Sequence, residues 1–482
     1  MPKLEMLMGS KLKVGFFGIG LDTYWPQFAG LRERLMGYLE IAEGKIAAGD
    51  VEVVSAGLVD NVEKANEAGQ LFRSRDVDLI FLYITTYALS STVLPAVQRA
   101  GVPVVVLNLQ PVAALDYAAF NALGDRGKMT GEWLALCQAC SAPEIACVFN
   151  RCGIDYHLIT GVLENDPFVD AELAAWMNAA RAARAMRRGR VGVLGHYYCG
   201  MLDVYSDMTQ QSAFFGSHFE LLEMCELHDL REAASEAAVK AKLEEFRTAF
   251  DVVPECSDYE LARAAKTSCA LDALVAAHRL TSMAYYYEST ANNPYQEIVT
   301  SVIPGNTLLT AKGVPVAGEC EIKNVQAMKI MDSLGAGGSF SEFYLMDFAD
   351  DVVLLGHDGP AHAGIAKGRV SLVPLPVFHG KPGTGLSIQM SVKNGPVTLL
   401  SVVQDRSGAL KLLFAEGESV EGPVMQIGNT NSRYRFSIGA RRFVDEWSRR
   451  GPAHHCAIGL GHHGRTLEKL AAILGMEAIK VC

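Results

Sequence analysis

Metal-binding and proton-transfer residues crowd the later part of this 482-residue chain: seven of its 12 histidines follow position 350. They fall in Gly356-His357-Asp358-Gly359-Pro360-Ala361-His362, at His379, and in the pairs His454-His455 and His462-His463. Neutral imidazole binds borderline divalent cations well, so histidines beside glycine at the ends of expected strands are candidate ligands. Paired histidines also suit plain polar surface. Two carboxylates add to the pattern. Glu319 follows Val314-Pro315-Val316-Ala317-Gly318, at the mouth of an expected strand, and Glu342 stands just beyond the glycine-rich Gly337-Gly338. Carboxylates placed directly after strands and glycine turns commonly face a cleft. Glu319 equally suits the first turn of a following helix, where the helix dipole favours negative charge.

The elements that must position these groups change character along the chain. Short apolar runs at 13–19, 51–56, 79–84 and 102–107 alternate with helical patterns at 28–48, 61–75 and 89–100, which predicts parallel strands in a doubly wound α/β domain over residues 1–188. A further strand is expected at 144–149, followed by a polar-to-basic helix over 171–188. A second α/β domain is expected over 189–338, opening on the strand-like 190–195 and ending where Gly335-Ala336-Gly337-Gly338 breaks the pattern. From 339 to 482 the chain reads as short strands separated by turn residues such as Asn394-Gly395 and Ser407-Gly408, predicting an antiparallel sandwich or barrel with a closing helix at 465–474. Open α/β sheets bind ligands beyond the carboxyl ends of their strands. Asp22, Tyr24 and Trp25, which follow the first strand, are therefore candidate substrate contacts, although aromatic clusters also build cores.

Composition narrows the class of function. The net charge of −11 argues against nucleic acid as the main partner, because phosphate binding requires a basic surface. No apolar run is long enough for a signal sequence or a membrane span, so a cytoplasmic protein is expected. Eleven scattered cysteines do not suggest a disulfide framework. The cluster Cys137, Cys140, Cys147 and Cys152 lacks zinc-ribbon spacing and reads as reduced thiols on a helix and an adjoining strand. Neither Gly18-Ile19-Gly20 nor the later glycine cluster matches a dinucleotide or P-loop fingerprint, so no nucleotide cofactor is expected.

Four segments resemble the L-arabinose isomerase family. Ala317-Gly318-Glu319-Cys320-Glu321-Ile322-Lys323 is similar to the segment carrying its first metal-binding glutamate, and Gly337-Gly338-Ser339-Phe340-Ser341-Glu342-Phe343-Tyr344 to the segment carrying its second. Leu354-Leu355-Gly356-His357 resembles the strand ending at its first histidine ligand, and Gly459-Leu460-Gly461-His462-His463 its C-terminal histidine pair. The resemblance implies a divalent cation, Mn²⁺ or another, held by Glu319, Glu342, His357 and His463. It implies that both glutamates double as catalytic acid and base; His462, beside His463, is a candidate sugar contact, as is Met201, although its segment 195–203 is unlike the family's. The resemblance also implies two Rossmann-like domains followed by a barrel, a plan shared with L-fucose isomerases, and a homo-oligomer, hexameric by resemblance.

The expected activity is aldose–ketose isomerisation of a monosaccharide through an enediol(ate), with the cation stabilising the developing charge. L-fucose isomerase-like action on another pentose, hexose or deoxy-sugar, a non-catalytic sugar sensor, and a metal-dependent aldolase or epimerase remain alternatives. The family's Gly-Ser-Gln-His stretch after the first strand is here Gly18-Ile19-Gly20-Leu21, so the differences fall on sugar recognition.

Overall fold

Apolar runs buried on both faces build the first sheet. In the computed structural model, which describes residues 11–288, 292–376 and 383–482, the strands are β1 (Lys13–Ile19), β2 (Glu52–Val59), β3 (Leu79–Ile84), β4 (Val104–Gln110) and β5 (Tyr156–Val162). They pair in parallel in the order β2-β1-β3-β4-β5. Every residue of the central β3 is buried. Phe72, Val97, Ile145 and Phe149, from the helices Val62–Arg75, Leu94–Ala100 and Ser141–Cys152, share one apolar cluster with Ile80 and Leu82. The expected strand at 144–149 is part of the helix Ser141–Cys152. Ser141, Ile145 and Phe149 are buried four residues apart, a helical period that a short apolar window hides. His379 lies outside the described residues.

The chain divides into two compact units, one ending at Arg184 and the other running from Ala185 to Cys482, with the boundary inside the helix Pro167–Arg187. In the second unit β6 (Arg190–Gly195) and β7 (His218–Leu222) pair in parallel, and β8 (Phe250–Val252) joins a different sheet. β9 (Ser282–Tyr286) and β10 (Val316–Ala317) complete a parallel sheet in the order β10-β9-β6-β7. The remaining strands are β11 (Gly337–Asp347), β12 (Val352–His357), β13 (Val370–Leu375), β14 (Gly385–Gln389), β15 (Gly395–Gln404), β16 (Leu410–Val420), β17 (Thr430–Phe436), β18 (His455–Leu460) and β19 (Glu477–Lys480). Six of them close an antiparallel barrel, β15-β18-β11-β12-β17-β16, sealed by pairing β15 with β16. β19 adds to β16 in parallel, while β14, β13 and β8 form a separate three-stranded sheet. The architecture is thus α/β: Rossmann-like parallel sheets with a closed antiparallel barrel at the C-terminal end.

Barrel and parallel sheet of the second unit share one core, in which Leu194, Met283 and Val316 join Val353, Leu399, Leu413 and Ile458. The helix Ile322–Ser333 runs between β10 and β11 and is buried from Ile322 through Met331. Its two lysines sit in the core only because each finds oxygen partners: Lys323 Nζ reaches the Asp203 carbonyl, and Lys329 Nζ reaches Asp332 and the Gly313 carbonyl. Because β6, β9 and β10 are parallel, the segments that follow them emerge at one edge of the sheet. Among the described residues, no helix is long and apolar enough to cross a membrane.

Gly195 ends β6 at φ 93°, and a Cβ there would stand 1.9 Å from the Tyr286 carbonyl oxygen. Gly195→Ala is therefore expected to lower unfolding free energy by about 2 kcal/mol or more, read from urea denaturation. An unchanged midpoint would contradict this placement.

Candidate metal centre

The turn after β10 carries two adjacent non-glycine residues in the left-handed region, Glu319 at φ 56° and Cys320 at φ 57°. Each such residue costs about 1–3 kcal/mol and persists only where its surroundings over-determine it. Here three backbone bonds do so. Tyr198 N–H donates to the Glu319 carbonyl at 3.4 Å, Cys320 N–H to Tyr285 at 3.1 Å, and Glu321 N–H to Gly318 at 3.0 Å. The turn is thereby hung on the end of β9 and on the segment that follows β6, with the Cys320 side chain buried.

This geometry sends Glu319 and Glu321 to the two sides of a single imidazole. His455 Nδ1–H donates to Glu321 Oε2 at 2.7 Å, while His455 Nε2 stands 3.4 Å from Glu319 Oε2. His455 and Glu321 are both fully buried. Its neighbour His454 repeats the arrangement nearer the surface. His454 Nδ1–H and backbone N–H both donate to Asp203 Oδ2, at 2.6 and 3.0 Å, and its Nε2 lies 3.5 Å from Glu319 Oε2 and 4.0 Å from Glu342 Oε2. The two rings lie 3.8 Å apart. Barrel register supplies the rest: Glu342 on β11 is directly opposite His455 on β18 and Gly356 on β12, which brings His357 alongside. Phe340 packs against both His455 and His357, at 4.2 and 4.6 Å, and those two imidazoles are 5.4 Å apart.

The electrostatics favour a cation. Burial opposes charge on Glu319, yet His454, His455 and His357 together hold its carboxyl below the usual glutamate range. Burial lowers His357 and His455 to about 3, so both rings are neutral with a lone pair to give. The bond to Glu319 and the neighbouring Asp203 raise His454 to about 9. Burial pushes Glu321 up to about 8 against the pull of Lys323 and His454, and its carboxyl accepts from His455 in either protonation state.

His455 Nε2 and His357 Nδ1 are buried without a hydrogen-bond partner, and Glu319 Oε2 has only the long 3.5 Å approach of His454 Nε2. Unsatisfied buried polar atoms are expensive, and a shared cation satisfies acceptor atoms of this kind together. Ligand atoms of Glu319, His454 and His455 all lie within 4.8 Å of one another, so this trio could hold a metal ion. His454 is nearer but is raised to about 9 and so holds a proton at neutral pH in the metal-free protein, whereas the more deeply buried His357 is neutral with an unsatisfied nitrogen, which favours His357 as the ligand.

Of the residues singled out in the sequence, Glu319, Glu342 and His357 come together here. His463 does not. β18 runs from His455 to Leu460, so the second histidine pair stands at the opposite end of the strand, where His463 Nε2 bonds the Leu460 carbonyl at 2.8 Å and His462 Nε2 the Gly417 carbonyl at 3.1 Å. Met201 follows Tyr198 in a turn of the segment that also carries Asp203. Asp22, Tyr24 and Trp25 belong to the first unit. There Trp25 Nε1 donates to Asp60 at 2.9 Å, Asn61 donates to Asp22 at 3.4 Å, and Tyr24 packs edge-on against Trp25 and Phe28. Sequence reasoning missed Asp203 and Glu321, and chose between two histidine pairs without a cue to separate them.

No protein-family model matches the chain. Among curated proteins, the L-arabinose isomerase of Bifidobacterium adolescentis is 22% identical over 351 residues, covering 69% of this chain and 68% of its own length. That of Bifidobacterium longum is 23% identical over 361 residues and that of Geobacillus thermodenitrificans 22% over 345, with the same coverage. The chain is a distant relative of L-arabinose isomerases.

Burial keeps His357 neutral down to about pH 3, whereas in the unfolded chain it takes a proton near the ordinary histidine value of 6.5. Between those values the unfolded state binds more protons, so this contribution to stability falls as pH drops through 6.5. In chelator, the wild type should lose about 2 kcal/mol more than His357→Gln between about pH 7.5 and 5, by urea unfolding; parallel losses would contradict the burial. Separately, Glu321→Leu is expected to weaken Mn²⁺ binding by about 10–100-fold in calorimetry, by removing the acceptor oxygen behind His455. His463→Gln should leave that affinity unchanged, and the reverse ranking would refute the site.

Proposed function

We propose that this protein is a metal-dependent aldose–ketose isomerase acting on a monosaccharide through an enediol(ate); the curated proteins it resembles are named L-arabinose isomerases. The observation that carries the proposal is the convergence of two carboxylate-backed imidazoles on two glutamates. Glu319, Glu342, His357 and His455 are the proposed ligands. A divalent cation such as Mn²⁺, when bound, supplies Lewis-acid stabilisation of negative charge developing on adjacent sugar oxygens.

The chain's own residues then divide the proton work. One of Glu319 and Glu342 removes the proton from C1 or C2, and the other exchanges the hydroxyl proton as the carbonyl moves. His454 presents Nε2 to both carboxylates, with Asp203 fixing its tautomer, and can bond a sugar hydroxyl at the open side of the group. His455, fully buried and anchored by Glu321, serves the metal alone. Met201 remains a proposed sugar contact on the segment that holds Asp203. Asp22, Tyr24 and Trp25 are proposed as ligand contacts of the first unit, at the carboxyl edge of its own sheet. His462 and His463 take no part, since their rings are bonded to carbonyls at the far end of β18. We further place a domain division near residue 338 within the second unit, and take the protein to work in the cytoplasm as a homo-oligomer.

A panel of aldopentoses, aldohexoses and deoxy-sugars, assayed after chelation and again after Mn²⁺ is restored, tests this function. Isomerisation of at least one sugar, with solvent deuterium entering at C1 or C2, should depend on the added metal. Glu342→Gln should lower turnover by about 10²–10⁴-fold while leaving bound metal detectable. Sugar binding without deuterium exchange would make the protein a sensor instead.

A further inference from the structure

Cys137 and Cys140 lie between the helices Arg126–Ala135 and Ser141–Cys152 of the first unit, with their sulfurs 2.8 Å apart. A disulfide bond is about 2.05 Å long, so less than about 1 Å of movement separates the pair from bonding distance. The backbone around them is tied down. Gln138 Nε2 donates to the Thr85 and Ala135 carbonyls, Thr86 Oγ1 to the Leu134 carbonyl, and the Ala88 N–H to Ser141 Oγ. The two sulfurs are therefore held together without a search through loop conformations.

The partners differ in access. Cys137 is buried, which raises its thiol to about 12, while Cys140 is exposed and is the sulfur an oxidant meets first. Among the described residues, the cluster of three or more metal-ligating side chains is Glu319, His454 and His455; none includes these two cysteines. That directs the pair toward redox chemistry rather than metal binding.

We propose that Cys137 and Cys140 form a modification site, a dithiol that closes to an intramolecular disulfide on reaction with a low-molecular-weight disulfide such as oxidised glutathione and reopens under thiol reductant. Cys140, as thiolate, attacks one sulfur of the oxidant; the S–S bond breaks and one thiol leaves, giving a mixed disulfide on Cys140. Cys137 gives up its proton to solvent and attacks the Cys140 sulfur, displacing the second thiol. Two protein thiols are oxidised, one small disulfide is reduced to two thiols, and the protons lost by the cysteines are taken up by the departing sulfurs. The elevated Cys137 thiol makes the second step the slower one and quickens it as pH rises. This site is independent of the isomerase proposal.

The test treats the full chain with oxidised glutathione, alkylates it under denaturing conditions and maps its peptides by mass. The expected product has Cys137 and Cys140 joined, unalkylated, and restored by dithiothreitol. The exposed Cys147, Cys152, Cys199 and Cys225 report that the oxidant was active. Cys137→Ala should instead hold glutathione on Cys140, at least about tenfold above its level in the wild type. Glutathione persisting on Cys140 of the wild type would overturn the proposal. So would alkylation of both cysteines after the other exposed thiols have reacted, or failure of Cys140 to take glutathione in Cys137→Ala.

Discussion

The candidate centre depends on how one imidazole is held. His455 is fully buried between two carboxyl groups, Glu321 on Nδ1 and Glu319 beside Nε2. A buried histidine with a free nitrogen is costly, and burial removes the option of meeting that cost by protonation. The arrangement makes physical sense as a ligand that has been desolvated, oriented from behind and left one lone pair to donate. His357 shows the same combination of burial and an unsatisfied nitrogen, reached from the next barrel strand but one.

Holding both glutamates on one imidazole requires Glu319, Cys320 and Glu321 to turn sharply after β10, and the chain does this with two consecutive left-handed residues that are not glycine. The stabilising bonds come from β9 and from the segment after β6, which ties the parallel sheet to the centre. The barrel contributes Glu342, His357 and the histidine pair through strand register. Lys323 joins the two contributions: it lies two residues beyond Glu321 and bonds the carbonyl of Asp203, the residue that orients His454. A shared apolar core across sheet and barrel keeps these parts in step.

How much of this the sequence discloses depends on whether the signal is local. Runs such as 79–84 are buried on both faces, so their unbroken apolar character identifies parallel strands directly. The run at 144–149 is equally short but opens on Glu144 and includes the small Ala146 and Cys147, and its helical period is plain only when Ser141 is included. Glycine turns mark Glu319 and Glu342 in the sequence. Nothing local separates His454-His455 from His462-His463: the two pairs bracket a single strand, and only the barrel register decides which end meets Glu342. Asp203 is 251 residues from His454, and the burial of Glu321 follows from tertiary packing; neither carries a mark in its own segment.

The most direct test of the centre is anomalous diffraction from crystals of the full chain grown with Mn²⁺. The account predicts a manganese peak bounded by the Glu319 and Glu342 carboxylates, His357 and His455 Nε2, with no peak beside His462 or His463. Manganese at the second histidine pair, or none among these four side chains at saturating metal, would contradict it.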